Sequence, residues 1–314
     1  MVFTRFLKGA FFYVQLCSLL ILANSVSAAE HIAPPTLSSI ENSDIEHLLP
    51  SDEIKTILAG ETEFLSLYSE YMSSEFRGIV LLIPDWNSKA TNNSGMSFLR
   101  KELNNLGYTT YAMTVPDIGW QASKINEVNS SESKVTPGNT EVPDTTTDAQ
   151  QQPAKIKEEP HYVNAIEKVS DDVLDNYKIN LISRFNALYQ TAIEDSSNIV
   201  VIAQGTSAGV LLEHYADFPD ERVNAFISLS SYLPNTKRNK GLNQTTSLVA
   251  PALLDIYYAS DSADILMNLK NRQRWVNRNA KFDYRQRQLF GLRDQPDQHA
   301  RLTKEIDGFL RRLF

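Results

Sequence analysis

The stretch from Asn198 to Ala216 constrains this chain more than any other. Four apolar residues, Ile199 to Ile202, form a run short enough and β-branched enough to be a strand buried on both faces. Gly205-Thr206-Ser207-Ala208-Gly209 follows without a charge or a bulky side chain, and an apolar-periodic run then continues to Pro219. A buried strand that turns sharply into a helix must have a sheet beside it and a layer above it. That requirement points to an α/β architecture.

The rest of the chain supplies the other layers. Gly78-Ile-Val-Leu-Leu-Ile83 is a second fully apolar strand, closed by the turn Pro84-Asp85-Trp86-Asn87. Met96, Leu99, Leu103 and Leu106 recur at helical spacing, Gly107 stops the helix, and Tyr108 to Val115 reads as the next strand. Strand, helix and strand at this spacing make a parallel βαβ unit with a right-handed crossover. Ile54 to Met72 reads as edge strands, Ser170 to Ile193 as a helix, and Ala225–Ser230 and Ala252–Tyr258 as further strands. Leu302, Ile306, Phe309, Leu310 and Leu313 close the chain as an amphipathic helix. The polar, basic and aromatic stretch Asn268 to Asp294 is expected to be helical, with its aromatics packed inward and its eight Lys and Arg in solvent. The expectation is a three-layer α/β/α sandwich on a mostly parallel sheet.

Three segments stand apart from that domain, which spans 51–314. Residues 1–28 read as a secretory signal peptide: Arg5 and Lys8, an apolar stretch from Ala10 to Ala23, then Val26-Ser27-Ala28 at the cleavage site. The stretch is short for a bilayer span, so no transmembrane segment is expected after cleavage, and the destination is the periplasm or the medium. Residues 29–50 form a polar arm. Residues 121–160 are rich in Ser, Thr, Asn, Gln, Glu and Pro with no aromatic, and read as a disordered insertion.

The lone cysteine, Cys17, falls in the signal, which leaves the mature protein without a thiol nucleophile, a disulfide or a cysteine metal site. Without Arg5 and Lys8, 28 basic residues face 38 acidic ones, which argues against generic nucleic-acid binding. Neither a cofactor nor a metal motif is present.

The order and spacing of these elements resemble an α/β-hydrolase, and more closely the bacterial secreted family named domain of unknown function 3530. The carriers are Gly78-Ile-Val-Leu-Leu-Ile-Pro-Asp-Trp86, Leu106-Gly-Tyr-Thr-Thr110, Gln204-Gly-Thr-Ser-Ala-Gly209 and Pro251-Ala-Leu-Leu-Asp-Ile-Tyr257, with Arg272 and Tyr284-Arg-Gln286. The resemblance implies a hydrolase-like fold with no established activity.

Gly205 to Gly209 spells G-x-S-x-G, the nucleophile turn of serine hydrolases. Active enzymes of that fold read strand, Gly-His-Ser-x-Gly-Gly, helix and Pro-Glu-Arg-Val. Laid without gaps on that pattern, and anchored by Pro219-Asp-Glu-Arg-Val223, Gly205 falls at the nucleophile position. Making Ser207 the nucleophile requires the strand to run through Gln204 and the helix to be two residues shorter. Two readings follow. In the first, Gly205 vacates the nucleophile position and the protein binds a small molecule or an envelope component, with Asp85, Trp86 and Gln204 converging at the carboxyl edge of the sheet. In the second, Ser207, Asp261 and His299 form an ester- or acyl-hydrolysing triad in the chain order this fold uses, with Asp255 and Asp264 as rival acids. Pro84-Asp85, where many hydrolases carry His-Gly, favours the first, because a carboxylate opposes an oxyanion.

Overall fold

The computed structural model describes residues 35–118, 169–219 and 223–314. The proposed signal (1–28) and insertion (121–160) lie outside the described residues.

Eight strands form one sheet in the order β1-β2-β4-β3-β5-β6-β7-β8. They are β1 (Ile54–Ala59), β2 (Thr62–Ser69), β3 (Gly78–Ile83), β4 (Tyr108–Met113), β5 (Ile199–Gln204), β6 (Ala225–Leu229), β7 (Ala252–Tyr258) and β8 (Tyr284–Leu289). The β1–β2 and β2–β4 pairs are antiparallel, and every later pair is parallel.

Side chains alternate across the two faces, as strand geometry requires. Ile79, Leu81, Ile83, Ile199, Val201 and Ala203 enter one core, with helices α3 (Asp171–Ile193) and α4 (Gly205–Asp217) laid over it. Val80, Leu82, Val200 and Ile202 enter the opposite core, under α2 (Met96–Asn105) and α7 (Pro296–Leu310). Both faces are therefore covered, which is why β3 and β5 read as unbroken apolar runs. The chain is a three-layer α/β/α sandwich on a mostly parallel sheet, as expected. The sheet order reverses between β3 and β5, so their carboxyl ends form the topological switch point, the place where open α/β sheets commonly take ligands.

Two segments differ from expectation. Within the polar arm, α1 (Leu37–Leu48) is a docked helix. Ile45 is buried, Ala90 N–H donates to Glu41 at 2.5 Å, and Ser38 N–H donates to Asp117 at 3.0 Å. Its polar attachments join residues distant in sequence, so no local pattern announces the docking.

The basic-aromatic stretch Asn268 to Asp294 is helical only in part. It begins inside α6 (Ala263–Arg278) and continues as the edge strand β8, after a turn at Ala280 with φ 53°. Phe282 is 96% exposed rather than packed inward, and Arg272 is wholly buried. The strand was masked because the sequence Tyr-Arg-Gln-Arg-Gln-Leu buries only its two ends.

Arg272 closes a polar network under the last strands. Its Nη1 lies 3.2 Å from Asp255 on β7 and 2.7 Å from Ser231 Oγ, while Nη2 donates to the Ser231 carbonyl at 2.7 Å. Tyr284 of β8 and Ser228 of β6 donate to the same carboxylate at 3.0 and 2.5 Å. Three adjacent strands and α6 are thus tied to one buried charge pair. Breaking such a pair strands an ion in low dielectric. Arg272→Met is expected to cost about 3–5 kcal/mol in denaturant unfolding, and Arg272→Met combined with Asp255→Leu should cost less than the single change.

Candidate functional site

The site begins at the junction of β5 and α4. The strand does run through Gln204, but the helix starts at Gly205 with no residue between them. Gly205 takes φ 59°, in the left-handed region where a side chain is strained. Ser207 consequently lies in the first turn of α4, fully buried, and its Oγ shares a 2.7 Å hydrogen bond with Tyr177 Oη of α3. Burial pushes the Tyr177 phenol far above its ordinary value, so it keeps its proton.

The space beside Gly205 is filled from the loop after β3. Asp85, half-buried, turns its side chain toward the junction, and its Oδ1 accepts from Thr206 N–H at 2.7 Å and from Trp86 N–H at 2.9 Å. A Cβ built on Gly205 would overlap the carboxylate carbon and both oxygens of Asp85. Glycine is therefore required here twice, once by the backbone angle and once by the neighbour. Burial raises the Asp85 pKa above its ordinary 3.8, while the two N–H donors and the Arg293 guanidinium partly offset that rise. Gly209, one turn on, allows the Tyr232 carbonyl to approach the helix. Tyr232 N–H in turn donates to the Gly205 carbonyl at 3.3 Å.

The structure brings Asp85, Trp86 and Gln204 to the same edge of the sheet. Gln204 is buried and accepts from Asn92 at 3.3 Å, and the Trp86 indole meets Tyr177 edge-on with centroids 6.1 Å apart. Ser207, Asp261 and His299 are not joined to one another. Asp261 sits after β7 and accepts from Ser230 Oγ at 2.5 Å, from Tyr258 N–H at 2.9 Å and from the Arg293 guanidinium. His299 lies inside α7 rather than ahead of it, donates from Nε2 to the Arg293 carbonyl at 2.6 Å, and packs on Phe98. Of the rival acids, Asp255 is the buried partner of Arg272.

Arg293 is the residue that sequence reasoning passed over. It occupies the loop between β8 and α7, the region searched for a histidine, and it takes the side-chain partner that a triad histidine would need. Its signal in the sequence is a basic residue in the short polar segment ahead of the closing amphipathic helix. The turn it supports is strained: Ser230 has φ 52°, and it is held by Asp261 on one side and by the Ser231–Arg272 contacts on the other.

Among the described residues, no group of three or more His, Cys, Asp or Glu side chains is placed to hold a metal, and no helix is long and apolar enough to cross a membrane.

Comparisons bear on this geometry. Residues 17–312 match the family described as "Protein of unknown function (DUF3530)". No curated protein matches the sequence. Among solved structures, Est1E from Butyrivibrio proteoclasticus is similar with a TM-score of 0.52 at 9% identity, over 83% of this chain and 98% of that one. An alpha-beta serine hydrolase homologue from Coxiella burnetii gives 0.50 at 13% identity, over 85% and 99%. A Pyrococcus furiosus esterase gives 0.51 at 11%, over 83% and 90%. At such identities the likeness is one of fold.

Two tests address the junction. Gly205→Ala should destabilise by about 1–2 kcal/mol from the backbone angle alone, and by more while Asp85 is present. In a double-mutant cycle with Asp85→Ala, the coupling should exceed about 0.5 kcal/mol, with the second change relieving the first. Asp85→Asn should leave both N–H donors satisfied and remove a charge that is costly to bury. A carboxyl whose folded pKa is raised binds protons more readily folded than unfolded, so its contribution to stability falls as pH rises from about 3.8 through the higher folded value. The melting-temperature difference, Asn variant minus wild type, should therefore grow over that window; a difference independent of pH would contradict the assignment.

Proposed function

We propose a ligand-binding role without serine hydrolysis for this chain, which belongs to the DUF3530 family and has an α/β-hydrolase fold. The observation that carries the reading is the Asp85 carboxylate beside Gly205. Attack on an acyl carbon needs a side chain at the strained turn, and Gly205 has none. The developing oxyanion needs preorganised N–H donors, and those of Thr206 and Trp86 already hold a carboxylate. A negative charge at that point raises, rather than lowers, the barrier to a second one.

The acid position supports the same reading. Asp261 is satisfied by Arg293, and a guanidinium remains protonated at any pH a protein survives, so it does not serve as a general base. The ligand in this reading is a small molecule or an envelope component, held at the carboxyl edge of the sheet near Asp85, Trp86 and Gln204 and needing no cofactor. Export to the periplasm or the medium belongs to the proposal, on the strength of Arg5, Lys8, the apolar Ala10–Ala23 stretch and Val26-Ser27-Ala28.

Ester or acyl hydrolysis by Ser207, Asp261 and His299 is the alternative, and one experiment separates the two. Purified protein is assayed on a panel of p-nitrophenyl esters beside Ser207→Ala, Gly205→Ser and Gly205→Ser/Asp85→Ala. The wild type and Ser207→Ala should both stay at the buffer rate, and Gly205→Ser alone should stay there too, because its side chain meets Asp85. Turnover by the wild type that disappears in Ser207→Ala would establish the hydrolase and end the binding proposal.

A further inference from the structure

We propose that the cavity beyond β6, β7 and β8 binds a small amphiphilic anion, an oxyanion head on a short apolar tail, with Arg293 and Lys240 holding the head. The inference rests on the non-hydrolytic reading above and goes beyond it in place as well as in ligand class, since Asp85, Trp86 and Gln204 do not line this cavity.

The cavity measures about 570 Å³, within the range that small-molecule sites occupy. It opens at the carboxyl ends of three parallel strands, walled by Tyr232 after β6, Asp261 after β7 and Arg293 after β8. It is also attached to the elbow, since the backbone of Tyr232 bonds to Gly205. One side is apolar: Ile265 is buried at the wall, while Met267 and Leu292 are 70% and 57% exposed at the cavity. Two large apolar side chains left in water beside a concave surface supply what an apolar tail would cover.

Charge decides the head group. Arg293 and Asp261 form an ion pair, but its two members are unequally reachable: the Asp261 side chain is 1% exposed and that of Arg293 is 29%. Asp261 has spent its acceptors on Ser230, Tyr258 and Arg293. Arg293 uses only Nη2, and its remaining guanidinium donors make no hydrogen bond among the described residues. Its guanidinium carbon lies over the Tyr258 ring, 5.3 Å from the centroid. Lys240, exposed on α5 (Thr236–Thr245), also lines the cavity and pairs with no acid among the described residues. Asp294, the one other acid of the lining, is exposed. A planar fork with spare donors and a free ammonium suit a carboxylate or a phosphate monoester.

Isothermal titration of the full protein with hexanoate, hexyl phosphate, hexan-1-ol and hexylammonium tests this. At least one of the two anions should bind ten or more times tighter than the alcohol, and the tighter anion identifies the head group. Arg293→Lys, which keeps a cation beside Asp261 but loses the fork, should weaken that anion about tenfold. Lys240→Gln, an exposed change that leaves the melting temperature in place, should weaken it several-fold. The proposal is overturned if neither anion binds, or if the alcohol or the ammonium binds as tightly as the better anion. Ester turnover dependent on Ser207 would refute the non-hydrolytic reading, whereas absence of anion binding in a protein silent on esters would refute the cavity assignment alone.

Discussion

One carboxylate, pinned by two backbone N–H groups, sets the arrangement of everything at the carboxyl edge of this sheet. Asp85 joins the loop after β3 to the first turn of the helix after β5, across the point where the strand order reverses. In doing so it satisfies an otherwise orphaned donor at the start of α4 and places negative charge at the positive end of that helix. It also dictates the residue opposite, because only a glycine leaves the space it fills. The contact that anchors the helix also fills the space beside the strained turn.

A second polar device works further along the sheet. The Asp255–Arg272 pair lies beneath the turn after β6, and Asp261–Arg293 lies beside it, so that the strained Ser230–Ser231 turn is fixed by two aspartate–arginine pairs of different exposure. The inner pair is fully buried and ties strands together. The outer pair leaves its guanidinium accessible, and for that reason only the outer one has anything to offer a ligand. The same two residue types take on different roles through burial alone.

Much of this was legible in the sequence, for identifiable reasons. The apolar runs Gly78–Ile83, Ile199–Ile202 and Ala252–Tyr258 are unambiguous because both faces of a central strand are buried. The placement of Gly205 at the turn follows from spacing within one continuous strand-turn-helix unit. Strand β8 was not legible, since an edge strand with Arg and Gln on its open side carries no apolar period. Neither was the filling of the elbow: Asp85 and Thr206 are 121 residues apart, and no local pattern states that their atoms meet. Arg293 was not legible either, because its contact with Asp261 joins residues 32 apart in sequence and a triad pattern points to histidine at that place. Local spacing reports backbone geometry well, and it reports side-chain encounters between distant strands poorly.

The pairing of β3 with β5 has a further consequence, for how the chain reaches this state. Ile79 lies against Ile199, and the whole of β4 and α3 is threaded between them in sequence. The centre of the sheet cannot zip until a chain of about 120 residues has been brought back on itself, which makes the contact order high and folding slow. Once that closure has been made, its entropy depends only logarithmically on the length enclosed, with each doubling adding about 0.6 kcal/mol. The central parallel pairing, and the elbow that β5 carries at its end, therefore depend on a long-range closure that no local contact along the chain can supply.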